Sequence, residues 1–252
     1  MTAKIIVFAN QKGGVGKTTT AVNLGAYLSK QGKKVLLLDF DPQGNLSSSV
    51  GCKNIEAGVY EVLTDKIPLD KTILKTELEN LSILPSNINL TGASLELIDV
   101  ENREYFLKDH LEPVLGFYDY IFIDCPPSLG ILTVNGLTAA DHVIIPLQCE
   151  YFALEGLSLL LKSVQKIQKT SNPYLKIGGI LFTMYDTRTR LSHEIVQEVT
   201  SYFKDKVFRT IIPRNVRLSE APSHGKPILL YDPLCSGAKS YEELAEEVIK
   251  RV

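Results

Sequence analysis

Short, unbroken apolar runs alternate along this chain with stretches in which apolar residues recur every three or four positions. Residues 5–9 (IIVFA) form such a run and predict a buried strand. In residues 20–31, Ala21, Leu24, Gly25 and Leu28 fall on one face, which predicts a helix. Residues 34–39 (KVLLLD) read as a second buried strand and 81–85 (LSILP) as a third. The strongest run, 118–124 (YDYIFID), predicts a central strand, and further strands are expected at 142–146, 177–182 and, shorter, 207–212. Helices are predicted at 60–63, 94–99, 105–115, 129–139, within 150–170, and at 192–203. A loop with a short helix should fill 213–224. The last segment, 240–252, is amphipathic, with Tyr241, Leu244, Ala245 and Val248 on its inward face. Strands alternating with helices predict an α/β fold, with a mainly parallel sheet covered on both faces and right-handed crossovers. No repeat, linker or low-complexity stretch divides the chain, so residues 1–252 read as one doubly wound domain.

In such a sheet, ligands sit beyond the carboxyl ends of the strands. Three polar clusters fall there. The first is NQKGGVGKTTT, residues 10–20, between a strand and a helix. Strand, glycine-rich turn and helix form the context of a phosphate-binding loop. Backbone N–H groups of Gly13, Gly14, Val15, Gly16 and Thr19 can converge on phosphates, aided by the helix N-terminus. Lys17 is then placed to reach the β- and γ-phosphates, and Thr18 offers a hydroxyl to Mg²⁺. The general pattern G-x-x-x-x-G-K-[ST] is broken at its first position by Gln11, and a second lysine, Lys12, stands inside the loop. The second cluster is Asp39-Phe40-Asp41, at a strand end where the two acids can take different roles. The third is Asp124, after four apolar or aromatic residues, which is the Walker B pattern. No N-K-x-D or T-K-x-D guanine-reading motif occurs, which favours ATP over GTP. Pro213 and Asn215 can pack against a purine and bond its edge, or Asn215 can simply cap the helix that follows.

Composition narrows the setting. The 252 residues are 44% hydrophobic with a net charge of −2, so no global charge demands a polyanionic partner. Between residues 186 and 217, however, seven bases face four acids, a local balance of +3. Arg188, Arg190 and Arg217 are the candidate DNA contacts there. With no base-reading helix evident, they would address phosphates of duplex DNA rather than sequence. Four cysteines, at 52, 125, 149 and 235, form no C-x-x-C, which fits reduced thiols in a cytosolic protein. No apolar run is long enough to span a membrane and no signal peptide opens the chain.

The blocks NQKGGVGKTTT, LLLDFDPQGN, YDYIFIDCPPSLG, VIIPLQCEYFALEGL and IIPRNVRLSEAPSHGKPI resemble the ParA/MinD family of ATPases with its deviant Walker A loop. Within it they are similar to chromosomal ParA proteins of the Soj type, over nearly the whole chain. The resemblance implies a P-loop ATPase that binds ATP with Mg²⁺, closes into a sandwich homodimer and binds double-stranded DNA without sequence preference. It implies a ParB-type centromere-binding partner that stimulates hydrolysis and releases the DNA. It also implies a role in chromosome or plasmid partitioning and a cytoplasmic protein that is nucleoid-associated when ATP-bound. Lys12 matches the signature lysine that reaches the other subunit's ATP, and Asp41 the acid that positions the attacking water. Asp124 matches the Walker B acid on the Mg²⁺ side, with Asp39 a further candidate through water. Pro213 and Asn215 match residues near the adenine, and Arg188 and Arg217 match arginines implicated in DNA binding.

Three other readings compete. A MinD-like membrane-surface ATPase needs a basic amphipathic C-terminal helix, whereas residues 242–247 carry four glutamates, which anionic lipid would repel. An iron–sulfur carrier needs closely spaced cysteines. A metabolic ligase needs a second small-molecule pocket, which no motif marks.

Overall fold

The computed structural model describes residues 2–96 and 100–252. The amino-terminal half runs β1 (Lys4–Phe8), α1 (Lys17–Lys30), β2 (Val35–Asp39), α2 (Asn45–Ser49), α3 (Val59–Leu63), α4 (Leu69–Thr72), β3 (Leu74–Lys75), β4 (Leu81–Leu84), α5 (Leu90–Glu96) and α6 (Phe106–Leu111). The remainder runs β5 (Tyr120–Asp124), α7 (Ile131–Ala139), β6 (His142–Gln148), α8 (Ala153–Thr170), β7 (Lys176–Thr183), α9 (Arg190–Phe203), α10 (Val216–Glu220), α11 (Ile228–Tyr231) and α12 (Ser236–Arg251).

The seven strands form one sheet in the order β3-β4-β2-β5-β1-β6-β7. All neighbours are parallel except β3 and β4. Side chains alternate across the pleat, so each apolar run feeds two cores. Ile5, Val7, Leu36, Leu38, Ile121 and Ile123 face one layer, which α3 and α6–α9 cover. Ile6, Phe8, Val35, Leu37, Tyr120 and Phe122 face the other, covered by α1, α2 and α10–α12. A strand buried on both faces has no polar side to show, which is why these runs are unbroken. The chain moves from β1 out to β4, returns to β5, and continues past β1 to β6 and β7. That reversal opens a crevice at the carboxyl end of β1, where the glycine-rich loop begins.

The long elements lie where expected, and Tyr241, Leu244, Ala245 and Val248 are buried. The differences have local causes. α1 starts at Lys17 rather than residue 20, so the end of the glycine loop forms the helix's first turn. The two-residue β3 is exposed and antiparallel, too short to carry a periodic signal. Residues 97–99 of the helix expected at 94–99 lie outside the described residues. The strand expected at 207–212 is not one. Val207 makes an isolated bridge to Ile180, and Phe208 and Ile212 each donate one N–H to β7. The amides of Arg209 and Thr210 go instead to the Glu247 carboxylate, at 2.8 and 3.0 Å. A side chain from α12 has replaced the ladder. Apolar periodicity cannot foresee a partner 38 residues away.

Candidate functional site

The loop between β1 and α1 turns through two glycines with positive φ, Gly14 at 73° and Gly16 at 87°. A side chain at either position would be strained, so the turn requires glycine. Gly16 is the N-cap of α1, and its carbonyl accepts the Thr20 N–H at 2.9 Å. The N–H groups of the first helical turn therefore have no acceptor within the helix and face the crevice. Lys17 is 7% exposed, and its Nζ donates to the Lys12 carbonyl at 3.4 Å. Burial lowers its pKa, while Asp124, Cys125 and Asp41 pull the other way. A buried ammonium under these conditions is a ready partner for an anion.

Asp39 and Asp124 end adjacent strands as register partners. Asp124 is 1% exposed. Its Oδ2 accepts the Thr18 hydroxyl at 2.6 Å, and its Oδ1 has no hydrogen-bond partner. Burial first, then the charge of Asp39, pushes its pKa up to about 8, against the Thr18 bond and Lys17. Asp39 is fully buried and better satisfied. Its Oδ2 accepts from the Ser47 N–H at 2.8 Å and hydroxyl at 2.7 Å, and its Oδ1 from the Asp41 N–H at 3.3 Å. Burial pushes it up to about 6 despite these bonds. An orphaned carboxylate oxygen beside a threonine hydroxyl, with a second carboxylate behind it, is an oxygen-donor set suited to a hard divalent cation such as Mg²⁺. Asp41, half-exposed, lies on the loop after β2, with Oδ1 accepting from the Gln43 N–H at 3.0 Å.

A cavity of about 750 Å³ opens from this loop. Gly14, Gly16, Lys17, Thr18 and Thr19 line one end, and Pro213 and Asn215 the other. The structure thus brings the phosphate-loop residues and the expected purine wall into one space. Asn215 has its side chain committed there: Oδ1 caps α10 by accepting from Arg217 and Leu218, and Nδ2 donates to Ser236 at 2.9 Å. Ser48 and Ser49 of α2 face Pro222 and Ser223 across the same cavity. Behind them the backbones of Gly51 and Gly225 touch, so closely that a Cβ on Gly225 would lie 2.8 Å from the Gly51 Cα.

The remaining candidates lie apart from the cavity lining. Lys12 is exposed, and its ammonium pairs with Glu150, which Gln148 also holds at 2.6 Å. Arg188 pairs with Asp186 through two bonds of 2.9 and 2.7 Å, and Arg190 with Glu194 at 2.7 Å. Arg217 lies between Glu220 at 2.9 Å and Asp232 at 3.4 Å. Each expected DNA contact is therefore exposed but already paired with a carboxylate of its own chain. Sequence reasoning missed Ser47, which holds Asp39; Glu150; Asn10 and Thr183, whose hydrogen bonds run between distant segments; and Met184, which lines the cavity. Only Asn10 and Glu150 lay in blocks that the resemblance had marked.

A family model described as an AAA domain matches residues 3–177. The chain is 60% identical over 248 residues to the chromosome-partitioning ATPase Soj of Treponema pallidum (strain Nichols), covering 98% of each. Among solved structures, it is similar to a cobyrinic acid a,c-diamide synthase from Mycobacterium smegmatis with bound ATP analog and magnesium. That match has a TM-score of 0.86 and 39% identity, and covers 98% of this chain and 95% of that one. A plasmid partition protein from Borrelia burgdorferi matches with a TM-score of 0.81 and 30% identity, covering 100% of both chains.

Proposed function

Because this chain belongs to the Soj/ParA family of chromosome-partitioning ATPases, we propose that it uses the crevice at β1 to bind ATP with Mg²⁺ and couples hydrolysis to dimerisation and DNA binding. One observation carries the site assignment: the Thr18 hydroxyl bonded to Asp124, whose other oxygen has no partner, directly beside the buried Lys17. The loop N–H groups and Lys17 hold the β- and γ-phosphates. Thr18 and Asp124, with Asp39 behind them, hold the Mg²⁺. When bound, that ion would offset the negative charge of the phosphates. Asp41, tethered by the Gln43 amide, orients the water that attacks the γ-phosphate. Pro213 and α10 close over the base, with Asn215 fixing the wall as a cap.

Lys12 has a trans role: it leaves Glu150 and completes the charge around the partner subunit's transferred phosphoryl. Hydrolysis then requires two copies face to face. The dimer doubles the surface of Arg188, Arg190 and Arg217, so ATP raises affinity for duplex DNA through multivalency. These contacts read phosphates, and affinity falls with salt as each phosphate exchanges its counterions. A ParB-type partner stimulates turnover and returns the protein from the nucleoid to the cytoplasm as the monomer.

No described helix is long and apolar enough to cross a membrane. The MinD-like surface reading is further disfavoured because the apolar face of α12 is buried in the core, packed against α1. A synthase activity like that of the Mycobacterium neighbour would make turnover depend on a carboxylic acid rather than on DNA and a partner protein. The test is light scattering after size exclusion, with and without ATP, on the wild type and Asp41→Ala. ATP-dependent dimers that persist in Asp41→Ala and decay with hydrolysis in the wild type are expected. A chain that stays monomeric in both refutes the sandwich mechanism.

A further inference from the structure

A glycine loop with two residues at positive φ has many conformations open to it, so something outside the loop must hold it. Two buried side chains contribute to this from opposite ends of the loop. Asn10, 4% exposed, donates from Nδ2 to the Pro146 carbonyl of β6 at 2.7 Å. Its Oδ1 accepts the Lys12 N–H at 3.0 Å, fixing the start of the loop. Thr183, 2% exposed, ends β7 and donates its hydroxyl to the Val15 carbonyl at 2.8 Å. β7 lies two strands from β1, so this bond reaches across β6. The same side chain lies 3.6 Å from where a Cβ on Gly16 would be.

The residues after Thr183 serve the opposite wall. Met184 has a φ of 50°, rare outside glycine, and lines the cavity. Tyr185 donates its N–H to Ile212 at 3.1 Å and accepts from the Arg214 N–H at 3.0 Å, which places Pro213 and α10. Three consecutive residues thus tie the phosphate end of the cavity to its base end. A strained backbone at the middle of such a connection is tolerated where the surroundings over-determine it.

We propose that Thr183 is a positioning residue for ATP: its hydroxyl locks the Val15 peptide, keeping the phosphate loop open and in register with the wall that Tyr185 carries. The proposal rests on the reading of this cavity as the ATP site. Without the hydroxyl, the Val15 carbonyl is buried without its partner and its peptide is free to rotate. ATP must then select the open loop from a mixture, and its apparent affinity falls by the fraction that remains competent.

The test compares Thr183→Val, which replaces the hydroxyl by a methyl of the same shape, with Thr183→Ser, which keeps the hydroxyl. ATP affinity is measured by calorimetry, steady-state kinetics by phosphate release, and stability by melting. Thr183→Val is expected to weaken ATP binding about tenfold, the scale of one buried hydrogen bond, with KM carrying most of the loss and kcat less. Thr183→Ser should bind ATP as the wild type does. A purely packing role would lower the melting temperature of Thr183→Ser, which loses the methyl group, spare Thr183→Val, and leave the ATP affinity of both unchanged. Wild-type affinity in Thr183→Val overturns the proposal. So does a Thr183→Ser that binds ATP about tenfold more weakly than the wild type, an outcome that can be read even if the valine variant does not fold. Lys17→Ala, run alongside, separates the two layers of inference. If Lys17→Ala still binds ATP, the site assignment fails; if it does not, while Thr183→Val binds normally, only the anchor fails.

Discussion

Replacing Asp39 by asparagine removes a buried charge while keeping the shape of the side chain. In the folded protein burial raises the pKa of this carboxyl from 3.8 to about 6, even with both Ser47 donors bound to it. The folded state therefore holds the proton more tightly than the unfolded chain. Its contribution to stability is fully present below about pH 4, declines as pH rises through about 6, and is lost above that. A shift of about two units corresponds to roughly 3 kcal/mol at pH 8. Asparagine keeps an acceptor for Ser47 but loses the charge-assisted strength of those bonds and turns its Nδ2 toward the Asp41 N–H, so a net gain of about 1 kcal/mol is expected. For a chain of this size that is roughly 2–4 °C in melting temperature. The assay is thermal melting without nucleotide and with chelator, at intervals from pH 5 to pH 8. Asp39→Asn should melt higher than the wild type at pH 8, and the difference should shrink toward pH 5. Addition of Mg-ATP should reverse the order, because the cation offsets the charge that destabilises the empty site. A variant that melts below the wild type at pH 8, or a gain independent of pH, would refute the reasoning.

Two further expectations concern the surfaces between molecules. A Cβ on Gly13 would meet only Pro127, at an ordinary 3.8 Å, so the first carbon of a valine side chain in Gly13→Val fits within its own chain. The variant should bind ATP yet remain monomeric by light scattering, and a dimer with normal turnover would rule out a face-to-face arrangement of these loops. Arg217→Glu should abolish DNA binding while ATP-dependent dimerisation persists, whereas Glu220→Gln, which removes one carboxylate competing for Arg217, should strengthen binding and steepen its salt dependence. DNA affinities indistinguishable from wild type in both variants would move the DNA surface elsewhere.

What the sequence made legible follows from how local each signal is. β1, β2 and β5 are buried on both faces, so each reads as an unbroken run ending in its functional group. The phosphate loop is contiguous, and the convergence of Lys17, Asp39 and Asp124 follows from a parallel sheet. Residues 207–212 carried a strand's composition, but Glu247 took their amides. Thr183 stood at the end of a recognised strand with nothing to mark it, because its meaning lies in a carbonyl 168 residues away. The arginines were visible as charge, while their pairing with Asp186, Glu194, Glu220 and Asp232 depends on side-chain placement.

The backbone contact between Gly51 and Gly225 sets a dimension. The helix carrying Ser48 and Ser49 and the turn carrying Pro222 and Ser223 act as two jaws, and the glycine pair is the point where they are clamped shut. With no side chain on either residue, the gap between the jaws is at its minimum. A single methyl group at residue 225 would act as a wedge, prising the jaws apart at their base and loosening their grip on anything held between them. The width of the slot is thus gauged by two hydrogen atoms.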